Sequence, residues 1–404
     1  VRAVFINHCH PERDHVCGLR AGRFADALAK RGHEVVLLCE AMPGGQPAPA
    51  PGTLAPALQS HDWSRPFVLA CEPAGYDWAR KARAGALPGG IRQAAVLWSY
   101  LANGGMFPDW QAGMAPYLPV LADVFRPDVV WGTFGNTDTW RTCRTLAALS
   151  GASWVGDFKD NWHAFLPTGL GRWMAARVGD AAHMTVFSMA HCDQADELFP
   201  SLAKTVLYSG VDDIAEGEDG PAAGELTLTL TGSVYEPEHL RALFAAIVAW
   251  AGANPDTPVH LGYAGGDTAR VRAAADATGL AVQYLGYLAQ DPLHRLQAAS
   301  SANIYVYNPR CLLHHKAVEL LAQGRPVIAF PGETEEVTGL AAEIGGAMFA
   351  CADHGAIIGA LDMIARNPPP VPARARRQAL TWTARAAVLE RVLADAAGKG
   401  GRRG

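Results

Sequence analysis

HHKAVELLAQGRPVIAFPGETEE, residues 314–336, is the stretch from which the rest of the chain is read. Its first half predicts a helix of about two or three turns, with Val318, Leu320 and Leu321 left to pack. Gly324 stops that helix and Pro326 forbids its continuation. The apolar run 327–330 then has the character of a parallel strand covered on both faces. Lys316 and Glu319 lie three apart, so they share one helix face near its N-terminus, where the helix dipole already favours an anion. Pro331 and Gly332 turn the chain, and Glu333, Glu335 and Glu336 open another helix.

Working upstream, the run from 226 opens a series of strands and helices. An apolar strand ends in Thr231, Gly232 and Ser233, a turn that lets backbone N–H groups meet an anion closely. Strands at 259–265, 282–286 and 303–307 alternate with helices at 268–278 and 292–299. Downstream, a strand at 347–351 and a helix ending near 366 precede NPPPVPAR, after which 374–397 reads as one last helix. The N-terminal part repeats the pattern: a strand at 2–6, a helix at 18–31 and a strand at 34–39 make a βαβ unit whose loop opens at the strand's carboxyl end. It lacks G-x-G-x-x-G, so the dinucleotide fingerprint is absent. Residues 42–56, rich in Pro, Ala and Gly, read as a surface loop. A strand at 66–70, helices at 91–102 and 109–125, strands at 128–134, 183–188 and 204–208, and a helix at 189–199 complete this half. The acidic, glycine-rich segment 213–224 reads as a linker.

At 404 residues the chain exceeds one ordinary core and predicts two domains of roughly 150 to 200 residues each. A net charge of −5 offers no electrostatic case for a nucleic-acid partner. No apolar run approaches the length of a membrane span, and the opening VRAVFINHCH reads as a strand rather than a signal sequence, so a cytoplasmic setting is the expectation. Eight cysteines without a C-x-x-C pair read as reduced thiols. His8, Cys9, His10, His15 and Cys17 crowd the first loop, but their spacing fits no familiar zinc pattern, and His10 or His15 lining a ligand cleft is the stronger reading. Trp63, Trp78, Trp98, Tyr100 and Trp110 cluster in one region. Core packing accounts for most such rings, while an acceptor-stacking or membrane-surface role stays open. In SWVGDFKDNWHAF, Asp157, Lys159, Asp160, Trp162 and His163 fall at the end of a strand, where catalytic groups of α/β proteins collect.

Several of these segments resemble the retaining family 4 glycosyltransferases of the GT-B fold. Residues 316–327 match K-x-x-E-x-L-A-x-G-x-P-V. GLRAGRFADALAKRGHEVVLL resembles the glycine-rich opening of such enzymes, and SWVGDFKDNWHAF is similar to their D-x-R-D-x-W motif, with Lys159 in place of Arg. VLYSGVDD resembles their passage between domains, with Ser209 where Asn is usual, and residues 382–389 match a W-x-x-x-A-x-x-L helix that crosses back to the first domain.

The resemblance implies an α/β fold of two Rossmann-like domains facing a cleft. An acceptor domain at 1–212 would carry the terminal helix 379–404 packed back on it, and a linker at 213–224 would lead to a nucleotide-sugar domain at 225–378. The implied reaction is transfer of a sugar from a nucleoside diphosphate sugar to an acceptor hydroxyl with retention, in glycan or glycoconjugate synthesis. No cofactor or metal is implied, and no D-x-D sequence occurs. In this scheme Glu319 grips the donor ribose, and His315, Lys316 and Arg310 are the basic groups near the diphosphate. Gly18, Gly232 and Ser233 supply close backbone approaches, Gly286 and Tyr287 cup the base, and Asp160 and His163 position the acceptor. That acceptor would be a glycan, a lipid-linked molecule or a small molecule, and a peripheral association with the inner face of a membrane is compatible with it. Two departures stand out: the family's Lys after Ser233 is missing, and Cys311 occupies the place of its first Glu. A nucleotide-sugar 2-epimerase of the same fold, or a non-catalytic GT-B partner subunit, are the alternatives.

Overall fold

Runs such as Ala3–Ile6 or Val327–Phe330 carry no polar side chain, so a sheet built from them must be covered by helices on both faces. A computed structural model of the chain shows two such sheets; it describes all residues except 14, 47, 134–136, 167–168, 213, 215–220, 222–223 and 401–404. The expected linker at 213–224 falls largely outside the described residues. By internal packing the chain divides into Val1–Ser209 together with the segment from Arg385 onward, and a second unit, Gly210–Ala384.

The first unit holds β1 (Arg2–Ile6), β2 (Glu34–Glu40), β3 (Phe67–Cys71), β4 (Val129–Thr133), β5 (Ser153–Phe158), β6 (His183–Val186) and β7 (Lys204–Val206). They pair in parallel in the order β3-β2-β1-β4-β5-β6-β7. Val4, Val36, Leu38 and Val130 from the strands pack with Trp110, Met114, Trp140 and Leu146 from the helices. The last helix, Trp382–Gly400, is tied to the end of the first, Val16–Ala29: Arg31 Nε donates to Glu390 Oε2 at 2.9 Å, and His33 Nε2 meets Glu390 Oε1 at 2.6 Å. The helix crossing back to the N-terminal domain is therefore present.

The second unit holds β8 (Leu226–Thr231), β9 (Val259–Ala264), β10 (Val282–Gly286), β11 (Ala302–Val306), β12 (Val327–Phe330) and β13 (Met348–Ala350), parallel in the order β10-β9-β8-β11-β12-β13. Leu228, Leu230, Ile304 and Ile328 pack beneath Phe244, Ile247, Trp250 and Leu361. In each sheet the chain winds outward one way and then the other, so the order reverses between β1 and β4 and between β8 and β11. At such reversals the connections diverge and leave a crevice beyond the strand ends.

Two helices differ from expectation. Residues 109–125 do not form one helix: Pro108–Met114 is followed by a tight turn, Ala115–Tyr117, and a wide turn, Leu121–Phe125. Pro116 and Pro119 supply no N–H for a continuous ladder. Nor is 374–397 continuous. A short turn of helix, Arg374–Arg377, ends before Thr381, which is extended and whose hydroxyl accepts from Ala384 N at 3.3 Å to start the last helix. There the backbone pairs with Val211: Val211 N donates to Leu380 O and Trp382 N to Val211 O, each at 2.9 Å.

Among the expected aromatic surface residues, Trp110 is core, whereas Trp98 is 63% exposed on the helix Gly89–Asn103 beside exposed Ile91, Leu97 and Leu101. No helix among the described residues is long and apolar enough to cross a membrane.

One charge pair ties the first unit together. Arg20, on the first helix, and Asp157, in β5, are both buried; Nε donates to Oδ2 at 2.9 Å and an Nη to Oδ1 at 2.8 Å. The guanidinium also reaches Ser209 Oγ and Leu207 O, while Thr185 Oγ1 donates to Asp157 at 2.7 Å. Removing one partner strands the other charge in the core. Asp157→Ala should therefore cost about 3–5 kcal/mol in urea unfolding followed by tryptophan fluorescence. A loss below about 1 kcal/mol, the range of exposed pairs, would show that the contact does not carry this part of the fold.

Candidate functional site

The crevice beyond β8 and β11 collects the residues that the sequence singled out. Thr231 ends β8, and Gly232 follows at φ +76°, a conformation that side chains rarely adopt. Lys316 enters from the first turn of the helix His315–Ala322, and its ammonium donates to Thr231 O. A Cβ on Gly232 would stand 2.6 Å from Lys316 Nζ, so the glycine leaves the space the ammonium fills. The turn is braced from below: Gly232 N donates to Ala264 O at 2.8 Å, Tyr263 OH to Gly232 O at 2.9 Å, and Asp267 N to the same phenol oxygen at 2.9 Å. Asp267 Oδ2 accepts from Val234 N at 2.9 Å, which holds the loop after Ser233.

Burial lowers the Lys316 pKa to about 8, against an upward pull from Glu319 and Asp267. Glu319 faces His315 across 3.2 Å. Burial alone would raise this carboxyl, but His315 and then Lys316 outweigh it and hold it at about 2. The helix thus presents a poised cation and a firmly ionised carboxylate from adjacent turns.

The other expected donor groups occupy neighbouring strand ends in this unit. Gly286 ends β10 at φ +69° and its carbonyl accepts from Gly265 N at 2.9 Å; Tyr287, next to it, is 74% exposed. Ser233 is exposed, and so is Arg310, whose backbone N donates to Asn308 Oδ1 at 3.0 Å. His314 Nε2 lies 3.2 Å from Asn308 O, so it braces the loop that follows β11. Cys311, in the place of the family's first Glu, takes a long contact of 3.6 Å from Asn308 Nδ2.

In the first unit the expected residues scatter. Gly18 is accounted for by packing: a Cβ there would lie 2.2 Å from His10 O, so the first loop rests directly on its helix. His10 Nδ1 accepts from Glu12 N at 3.2 Å, and His15 Nδ1 caps the helix through Cys17 N at 3.2 Å. Asp157, read from the sequence as a crevice carboxylate, is instead consumed by Arg20, because an arginine buried in the adjoining helix requires an anion there. Asp160 follows the strand, its carboxyl pushed up by burial and pulled down by Lys159. His163 sits on the short helix Trp162–Phe165, largely exposed and 3.5 Å from Glu197. Among the described residues no group of three or more His, Cys, Asp or Glu could hold a metal ion.

Sequence reasoning missed Tyr263 and Asp267, which brace the glycine turn, and the contact of Lys159 Nζ with Cys17 Sγ at 2.6 Å. A readable signal existed for Arg20 alone: an arginine among Cys17, Ala21 and Phe24 on the buried face of a helix demands a partner.

No protein-family model matches this chain, and no curated protein matches it in sequence. Solved structures share its fold at low identity. A glycosyltransferase from Rickettsia africae aligns over 98% of both chains at 12% identity and a TM-score of 0.64. Anabaena Alr3699/HepE, solved in complex with UDP, aligns over 98% of this chain and all of its own at 14% identity and 0.63. Sucrose-phosphate synthase from Thermosynechococcus elongatus aligns over 97% and 98% at 15% identity and 0.62. The likeness is one of fold.

Gly232→Ala should push Lys316 off Thr231 and force a disfavoured φ, at a cost of about 1 kcal/mol or more. Differential scanning fluorimetry should show a lower midpoint, whereas Gly266→Ala, with nothing within 4 Å of its Cβ, should leave the midpoint unchanged. Equal behaviour of the two variants would mean that the glycine turn does not hold the lysine.

Proposed function

We propose that this chain is a glycosyltransferase that moves a sugar from a nucleoside diphosphate sugar to an acceptor hydroxyl with retention of configuration. The observation that carries the reading is the Lys316 ammonium held against the Gly232 turn where the second sheet reverses, with the Glu319 carboxylate one turn along the same helix. A diphosphate needs a cation and backbone donors at close range, and a ribose needs a fixed acceptor for its hydroxyls. The UDP held by Alr3699/HepE, a protein of the same fold, supports this choice of ligand.

In this reading residues 225–378 hold the donor and 1–212 the acceptor, with 213–224 joining them and the terminal helix belonging to the first part. Lys316 gives up its contact with Thr231 O to meet the diphosphate, helped by main-chain N–H groups of Gly232 and Ser233 and by Arg310 and His315. Its charge counts most as the sugar–phosphate bond breaks. Glu319 accepts from the ribose hydroxyls, and Gly286 and Tyr287 border the base. The leaving phosphate takes the acceptor's proton, so Asp160 and His163 act by positioning, and Gly18 keeps the first loop close. Protein groups carry the diphosphate charge without a bound metal. The exposed apolar residues around Trp98 suit peripheral association with the inner face of a membrane and a lipid-linked acceptor, alongside glycans and small molecules. A 2-epimerase is the competing reaction: it alone converts the nucleotide sugar in the absence of an acceptor.

A screen of nucleotide sugars by thermal shift should find one that stabilises the protein. With that donor, Glu319→Gln should raise its KM about tenfold or more with little change in kcat, whereas Lys316→Ala should lower kcat roughly a hundredfold. Wild-type donor kinetics in both folded variants would overturn the assignment.

The free enzyme's lysine, at about pH 8, also sets a pH profile. As pH rises through that value the ammonium is lost, so kcat/KM for the donor should fall, while kcat should hold to higher pH because the bound diphosphate keeps the proton in place. Lys316→Arg should flatten the profile. A kcat/KM unchanged from pH 7 to about 9.5 would remove Lys316 from the donor site.

A further inference from the structure

Asn7, just past β1, grips two points of the first loop with one side chain. Its Oδ1 accepts from Cys9 N at 3.1 Å, and its Nδ2 donates to Cys17 O at 2.6 Å. Both cysteines are buried, and a Cβ on Gly18 would stand 3.3 Å from Cys9 Sγ, so the Cys9 sulfur lies against the residue that follows Cys17.

The surroundings of the two thiols are opposite in character. Cys17 is in the first turn of the helix Val16–Ala29, with Lys159 Nζ 2.6 Å from its sulfur. Burial alone would raise this thiol, but Lys159 and His15 outweigh it and pull it below the usual range; Asp160 opposes them. Cys9 is pushed up, first by burial and then by Cys17. Arg13, also in the loop, and Lys159 pull the other way on Cys9 without overcoming its burial. Cys39, Cys71, Cys143 and Cys351 are all raised by burial, which leaves them inert thiols.

We propose that Cys17 and Cys9 form a redox-active thiol pair, with Cys17 the attacking thiolate and Cys9 the resolving thiol, and with peroxides as the oxidant class. The Cys17 sulfur attacks one oxygen of hydrogen peroxide; an S–O bond forms, the O–O bond breaks, and hydroxide leaves. The Cys9 sulfur then attacks the sulfenic sulfur. The new S–S bond replaces the S–O bond, and the departing hydroxide takes the Cys9 proton as water. The two sulfurs together lose two electrons, and one peroxide becomes one water and one hydroxide, the latter taking a proton from solvent. Closure of the disulfide withdraws the anion that faces the Lys159 ammonium.

Absorbance at 240 nm tests the thiolate without requiring access to it. The native protein should show a thiolate step at lower pH than an ordinary thiol, one that disappears in Cys17→Ser and moves to higher pH in Lys159→Met, with folding of each variant checked by circular dichroism. Peptide mapping after one equivalent of hydrogen peroxide should recover a Cys9–Cys17 disulfide as the main product, and Cys9→Ser should instead accumulate a sulfenic acid on Cys17 that dimedone traps. Absence of a step that Cys17→Ser removes, or a map in which both thiols stay reduced or pair elsewhere, overturns the proposal.

Discussion

The first unit depends on a charge that cannot be left alone. Arg20 is 2% exposed and Asp157 fully buried, so neither survives in the core without the other. Their bidentate contact fixes the first helix against β5, and the further bonds to Leu207 and Ser209 draw in the chain beyond β7. The residues just after β5 inherit that position. Lys159 and Asp160 come two and three residues after the buried carboxylate, and Cys17 comes one helical turn before the arginine. The thiol and the ammonium meet because the arginine and the aspartate already have.

The second unit handles its cation differently. Lys316 rests on a backbone carbonyl instead of a carboxylate, and its nearest anions, Glu319 and Asp267, only partly offset the cost of burial. A charge satisfied by a neutral acceptor is readily transferred to an anionic one. Arg20, saturated by a carboxylate, a hydroxyl and a carbonyl, has no such freedom. The contrast separates a cation locked into a core from one able to change partners: Arg20 is buried, whereas Lys316 is half-buried against the glycine turn.

Local pattern carried most of the fold. Strands such as 327–330 and helices such as 268–278 are legible because a strand buried on both faces is apolar throughout and an amphipathic helix repeats every three to four residues. Of the candidate site, Lys316, Glu319 and Gly232 were readable as residue types at a meaningful spacing, and the structure brings Lys316 onto the Gly232 turn. What stayed hidden depends on partners far apart in the chain. Arg20 and Asp157 are 137 positions apart, and Cys17 and Lys159 are 142 apart, so no local window contains either pair. The break at Thr381 was masked because its neighbours continue a helical pattern, and only the pairing of that residue's backbone with Val211 pulls it out of the helix. The wide turn at Leu121–Phe125 could have been anticipated, since two prolines three residues apart precede it.

The strand-like contact of Val211 with Thr381 also bears on how the chain could be rearranged. The second unit is one uninterrupted segment, Gly210–Ala384, and its first and last residues are brought side by side by hydrogen bonds between Val211, Leu380 and Trp382. A segment whose ends already meet can be lifted out, inserted elsewhere or given new termini with little loop to close. The first unit has no such autonomy in the gene: its terminal helix is encoded after the whole of the second. The second unit is therefore the portable module, and the first is its host.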